Sequence, residues 1–183
     1  MPTMPTELIH VLLVEDDDID REAVKRAFQK HQMINPLVCV TNGLEALHVL
    51  RGEHGDSHLP HPYIILTDIN MPEMNGYELC RALKANSAYA HIQVVLFASA
   101  TSPDEIAEIL NCGADNVVLK KWDEQKLVKK LKLLVEDGAT QNGNSSALCD
   151  IQTRINGKDI DVSFEPERAL AIMASLYEFL CTD

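Results

Sequence analysis

Positive charge is scarce in this sequence: 16 Lys and Arg stand against 28 Asp and Glu, a formal net charge of −12 at pH 7. Nucleic acid and anionic membrane surfaces both attract clustered cations, so neither DNA nor a lipid surface is an expected partner. The lysines at 126, 129, 130 and 132 form the polar side of an amphipathic helix and are too few for a DNA footprint. Long apolar runs are missing as well. None approaches the ~18 residues of a membrane span, and the first ten residues carry neither a basic nor an apolar leader region, so no leader or membrane insertion is expected. Paired cysteine spacing is the third absence. Cys39, Cys80, Cys112, Cys149 and Cys181 are odd in number and never form C-x-x-C, which reads as small core residues in a reducing compartment. Apolar content is not deficient: 46% hydrophobic with 24% charged residues excludes wholesale disorder. The expectation is an acidic, cytoplasmic protein.

What is present is an alternation. Leu8 to Val14 is a short apolar run that stops in Glu15-Asp16-Asp17-Asp18, the pattern of a buried strand. Asp17 or Asp18 can cap a helix carrying Ile19, Ala23, Ala27 and Phe28 at helical spacing. Asn35-Pro36 breaks it, Leu37 to Val40 reads as a second strand, and Leu44, Leu47, His48 and Arg51 carry a helix that Gly52 ends. Tyr63 to Thr67 is again apolar and stops at Asp68. A turn from Asn70 to Gly76 precedes a helix through Tyr77, Leu79, Cys80 and Leu83. Val94 to Ala98 is a fourth strand, and Ser102-Pro103-Asp104-Glu105 is a helix start with cap, first-turn proline and capping glutamate. Gly113 closes that helix, Asn116 to Leu119 is the fifth strand, and Leu127, Val128, Leu131, Leu134 and Val135 line a fifth helix. Five buried strands alternating with amphipathic helices predict a doubly wound α/β fold: a five-stranded parallel sheet covered on both faces, with its ligand site at the carboxyl ends of the strands.

Residues 137–148 are polar and rich in Gly, Ser and Asn, the composition of a linker. After it, Ile151, Thr153 and Ile155 alternate with polar residues, Asn156-Gly157 supplies a tight turn, and Ile160, Val162 and Phe164 alternate again. A helix starting near Pro166 carries Leu170, Met173, Leu176, Tyr177 and Leu180. The division is therefore 1–136, a main domain; 137–148, a linker; and 149–183, a ββα extension. So small a unit does not stand alone without metal or disulfides, so it packs on the main domain or pairs with a second protomer as a homodimer. From residue 137 onward there are eight acids against three bases and too few helices for a helix-turn-helix.

Glu15-Asp16, Asp68 and Lys120 all fall at carboxyl ends of predicted strands. Carboxylates converging in one crevice need a cation among them, and hard oxygen donors suit Mg²⁺, which keeps waters free for phosphate oxygens. A lysine beside them supplies a point charge for an incoming phosphoryl group. Together these groups point to phosphoryl transfer onto an aspartate. His54, His58 and His61 match no closed zinc pattern and are read as solvated.

Val14-Glu15-Asp16-Asp17, the run Thr67-Asp68-Ile69-Asn70-Met71-Pro72-Glu73-Met74-Asn75-Gly76, and Gly113-Ala114 with Lys120 resemble the receiver domain of two-component response regulators. The resemblance covers about residues 7–136. It implies a CheY-like, flavodoxin-like fold in which Asp68 accepts a phosphoryl group from the phosphohistidine of a sensor histidine kinase. It further implies that Asp16, Asp68 and the Asn70 carbonyl bind Mg²⁺, with Glu15 acting through a water, and that Lys120 pairs with the phosphoryl group. The stretch Arg51 to Pro62 is similar to a single-domain subgroup found beside phytochrome-like kinases. Such a protein signals to an output protein by protein–protein contact and is not a turnover enzyme.

The chain departs from the family pattern in its switch residues. The Thr or Ser usual at the end of strand four is Ala98, with Ser99 adjacent but on the opposite side of an extended strand. The usual aromatic before the lysine is Val117, the usual proline after it is Lys121, and Trp122 follows. The expectation is an intact acceptor with an atypical switch; the alternative is a pseudo-receiver that works without phosphorylation. A hydrolase with an aspartyl-phosphate intermediate would want a second acid at position 70, which is Asn.

Overall fold

The run after Ile9 forms strand β1 (His10–Val14), which ends at the acids 15–18, of which Glu15 is still buried. A computed structural model describes residues 8–53, 63–99, 102–120, 124–138, 149–155, 158–164 and 166–180. The order continues with α1 (Asp18–Lys30), β2 (Leu37–Val40), α2 (Gly43–Leu50), β3 (Tyr63–Asp68), α3 (Gly76–Ala85), β4 (Gln93–Ala98), α4 (Pro103–Asn111), β5 (Asn116–Leu119) and α5 (Glu124–Gly138). The strands make one sheet in the order β2-β1-β3-β4-β5, with every pair parallel. The chain leaves β1 toward β2 on one side and returns through β3 on the other. The switch point therefore opens between the carboxyl ends of β1 and β3, where an open α/β sheet binds its ligand.

Alternate residues along the strands face opposite layers, as the pleat requires. Val11, Leu13, Ile64, Leu66, Val95 and Phe97 pack with Val24, Ala27 and Phe28 of α1 and Leu127, Val128 and Leu131 of α5. Leu12, Val14, Ile65, Val94, Leu96 and Ala98 face α2, α3 and α4. Burying each of the larger side chains contributes about 1.5–3 kcal/mol, so two apolar layers account for most of what holds the sheet in place.

Helix starts follow the capping expectations. Asp17, not Asp18, caps α1, accepting from the amides of Ile19 and Asp20. Asn75 and Glu78 form a capping box on α3, and Ser102 and Glu105 form one on α4 with Pro103 in its first turn. Two of the expected helix stripes need correction. Ile19 is 75% exposed and Val24 takes the core position on α1. On α2 the buried positions are Ala46, Leu47, Val49 and Leu50, while Leu44 lies at the surface. Cys39, Cys80 and Cys112 are free thiols, with Cys80 and Cys112 buried as expected.

The extension forms an antiparallel hairpin of β6 (Cys149–Ile155) and β7 (Lys158–Phe164), followed by α6 (Pro166–Leu180). The register pairs Ile155 with Lys158, as a two-residue connection at 156–157 requires, although those two residues lie outside the described ones. Helix α6 lies against β5, and β7 against α4. Ile172 is buried in the same apolar layer as Val117 and Leu119, and Arg168 Nε stands 2.9 Å from Asp115 Oδ1. Of the expected α6 stripe, Leu170 and Met173 are exposed (68% and 60%), and the side chains of Leu176, Tyr177 and Leu180 lie outside the described ones; among the described side chains of α6, Ala169 and Ile172 are buried. In the first two turns of α6 the side that meets β5 is therefore the one carrying Ala169 and Ile172. Helix α5 runs to Gly138, beyond the boundary expected at 136, and residues 139–148 lie outside the described ones. The same holds for His54, His58, His61, Lys121, Trp122 and most of the Arg51 to Pro62 stretch. No helix among the described residues is long and apolar enough to cross a membrane.

Candidate functional site

Strand β1 delivers Glu15 and Asp16 immediately beyond its last residue, β3 ends on Asp68, and β5 is followed at once by Lys120. Because β1 and β3 are direct neighbours, their terminal carboxylates meet at the switch point. One carboxylate oxygen from each of Glu15, Asp16 and Asp68 can be chosen so that all three lie within 4.8 Å of one another. Lys120 enters from the far edge, past β4, and its Nζ stands 3.1 Å from Glu15 Oε2 and 3.2 Å from Asp68 Oδ1. The same ammonium lies 2.9 Å from Asp20 Oδ2 on α1 and 5.8 Å from the centre of the Phe97 ring. The Lys120 amide donates to Ala98 O, tying the start of the β5 loop to the end of β4.

Glycine sets the approach on the α3 side. A Cβ on Gly76 would lie 2.2 Å from the Asp68 carbonyl oxygen, so no other residue lets α3 begin this close to the end of β3. The Gly76 amide donates to Ile69 O at 3.0 Å, closing the loop that carries Asn70. Within that loop Glu73 has φ of 63°, a left-handed conformation uncommon for a residue with a side chain, and such strain clusters at functional sites.

Glu15 is fully buried and Asp68 nearly so, while Asp16 is exposed. Burial pushes the Glu15 carboxyl above its usual range and the Asp68 charge adds to this, against the pull of Lys120. Burial likewise raises Asp68, opposed by Lys120 and by the Ile69 amide. Burial works against the Lys120 charge, but Asp20, Asp68 and Glu15 together outweigh it and hold the ammonium above its ordinary value. Glu15 Oε1 accepts from the Asp17 amide, while buried Oε2 has no hydrogen-bond partner despite its proximity to Lys120. A buried carboxylate oxygen with an ion pair to Lys120 but no hydrogen bond, set within a carboxylate trio, fits a hard divalent cation such as Mg²⁺.

The structure thus brings together Glu15, Asp16, Asp68 and Lys120, which the sequence named. Asn70 lies exposed two residues beyond Asp68. Ala98 is fully buried with its side chain in the apolar layer, Ser99 is exposed just past β4, and Val117 is buried in the same layer as Ala98. Sequence reasoning missed Asp20. It lies in the first turn of α1, where an acid is ordinary, and nothing local shows that a lysine 100 residues away reaches it.

A family model described as the response regulator receiver domain matches residues 11–132. The two-component response regulator ARR15 of Arabidopsis thaliana is 30% identical over 159 residues, spanning 85% of this chain and 75% of that protein. The signal receiver domain of a signal transduction histidine kinase from Syntrophus aciditrophicus superposes with a TM-score of 0.62 at 30% identity, covering 75% of this chain and 98% of the other. A response regulator in red light signalling of R. palustris gives 0.61 at 26% identity, over 69% and 91% of the two chains.

Proposed function

The chain belongs to the response regulator receiver domain family, and from that premise we propose that Asp68 accepts a phosphoryl group from the phosphohistidine of a sensor histidine kinase in a Mg²⁺-dependent reaction. The observation that carries this reading is the Lys120 ammonium 3.2 Å from Asp68 Oδ1 and 3.1 Å from Oε2 of the buried Glu15. An Asp68 carboxylate oxygen attacks phosphorus, the P–N bond to the kinase imidazole breaks, and its electron pair stays on the imidazole nitrogen. Burial raises the Asp68 carboxyl, and Lys120 opposes that shift by favouring the ionised form that attack requires. The ammonium then pairs with a phosphoryl oxygen. Glu15, Asp16, Asp68 and the Asn70 carbonyl would hold Mg²⁺, which when bound neutralises charge on the transferring group.

The transfer is stoichiometric, so the protein is a phosphoacceptor and not a turnover enzyme. Its output is contact with a further protein in the cytoplasm. The likeness to a red-light response regulator supports a phytochrome-like kinase as the donor. The receiver runs through α5 to Gly138, the linker follows it up to residue 148, and 149–183 form the extension, whose α6 packs on β5 of its own chain here; sedimentation reads homodimer formation directly. With Ala98 and Val117 in place of hydroxyl and aromatic, the switch is atypical, coupling acceptor to surface weakly because Ser99 replaces neither.

Incubation with Mg²⁺ and a small phosphodonor, followed by intact mass measurement, tests the reading. A species heavier by about 80 Da, the mass of a phosphoryl group, supports it. The buried methyl of Ala98 favours a second reading, a pseudo-receiver that binds its partner without phosphorylation. Absence of any adduct selects that reading.

A further inference from the structure

The Lys120 ammonium serves three carboxylates, and the nearest of them is not part of the metal trio. Asp20 Oδ2 is at 2.9 Å, closer than Glu15 at 3.1 Å or Asp68 at 3.2 Å. Asp17 anchors this arrangement by capping the first turn of α1 through the Asp20 amide. Arg21 turns instead to the Glu15 carbonyl and to Asp18, which leaves Asp20 facing Lys120. We propose that Asp20 is a positioning residue that competes with the acceptor site for the Lys120 ammonium and so restrains phosphoryl transfer to Asp68. This rests on the acceptor reading of Asp68 above.

Two effects of Asp20 oppose each other. It steadies Lys120, which helps transfer; it also draws the ammonium toward α1 and sets a further negative charge beside an incoming anion, which hinders it. The second effect prevails here. Lys120 is already held by two buried carboxylates, by its own backbone hydrogen bond to Ala98 O and by the Phe97 ring. The side chain of Asp20 is 41% exposed and adds little further order. A phosphoryl group carrying nearly two negative charges, by contrast, needs the proton that Asp20 occupies.

The test compares full-length wild type with Asp20→Asn, Asp20→Glu and Asp18→Asn, following the rate of mass gain with Mg²⁺ and acetyl phosphate at low and high salt. Asp20→Asn is expected to label about three- to tenfold faster, with the gain shrinking as salt screens the charge. Asp20→Glu keeps a carboxylate within reach of Lys120 and should label at the wild-type rate. Asp18→Asn removes the same charge from the same turn, at a residue paired with Arg21, and should stay within about twofold of wild type. The inference is overturned if Asp20→Asn labels no faster than wild type, or if Asp18→Asn accelerates equally. If wild type and Asp20→Asn both fail to gain mass, the acceptor reading itself fails and takes this inference with it.

Discussion

Two lysines pair with carboxylates at opposite ends of this sheet, and their surroundings differ in kind. Lys84 on α3 donates to the carbonyls of Ala90 and Ile92 at 3.2 and 2.8 Å and to Asp115 Oδ2 at 2.6 Å. Asp115 in turn accepts from the Val94 amide and pairs with Arg168 of α6, so the group is supplied from every side. Lys120, at the carboxyl ends of the strands, has three carboxylates for one ammonium and leaves Glu15 Oε2 without a hydrogen bond. A satisfied network fixes loops and the docked helix. An unbalanced one is costly in itself and has electrostatic demand left for an ion or a phosphoryl group.

The contrast breaks most sharply at Asp68. Asp68→Asn should abolish labelling by a small phosphodonor while the same change at Asp115 leaves labelling within about twofold, because Asp115 pairs with Lys84 and Arg168 at the opposite end of the sheet. Persistent labelling of Asp68→Asn, read by intact mass, ends the assignment.

Stability should invert the order. Asp115→Ala leaves Lys84 and Arg168 without their carboxylate and uncouples the Val94 amide, an expected loss of about 2–4 kcal/mol in urea unfolding. Glu15→Gln removes a buried, repelled charge and should cost nothing or stabilise at neutral pH. A larger loss for Glu15→Gln than for Asp115→Ala would erase the distinction.

The pH dependence sharpens it further. The Glu15 and Asp68 carboxyls lie higher in the folded than in the unfolded chain, so the folded state binds more protons between the two values. Their contribution is therefore fully present below the ordinary carboxylate range and is lost as pH rises through the folded values. Wild type without Mg²⁺ should gain urea resistance on acidification from neutrality to about pH 5. Asp68→Asn should flatten that slope, and Mg²⁺ should flatten it by stabilising the ionised site at neutral pH.

The smallest effect belongs to Arg168. Arg168→Ala should cost about 0.5–1 kcal/mol, since its pair is partly exposed, and should raise hydrogen exchange in α6 while sparing β1 and β3. Equal exchange in all three elements would show that α6 is no separate unit of stability.

How far the site could be read in advance follows from the reach of each signal. Glu15, Asp68 and Lys120 are each the residue at which an apolar run stops, and Asp16 directly follows the first of them, so strand ends alone mark the four. Ser102, Pro103 and Glu105 announce α4 because capping is satisfied within four residues. Asp20 carries no such mark, since its partner arrives from the opposite edge of the sheet. Leu170 and Met173 misled because periodicity reports where apolar side chains recur, not which side of a helix comes close enough to another element to bury them.

The sequence by itself determined the number and order of strands, the parallel sheet and the residues at its carboxyl ends, because hydrophobic period and capping are local properties of the chain. The tertiary structure alone decided that three carboxylates would share Lys120, that Gly76 must lack a Cβ where α3 meets the Asp68 carbonyl, and that α6 would lie on β5 through Ile172 and Arg168. Those are encounters between segments far apart along the chain, and their distances are set by the packing of two layers on one twisted sheet, which no local pattern encodes.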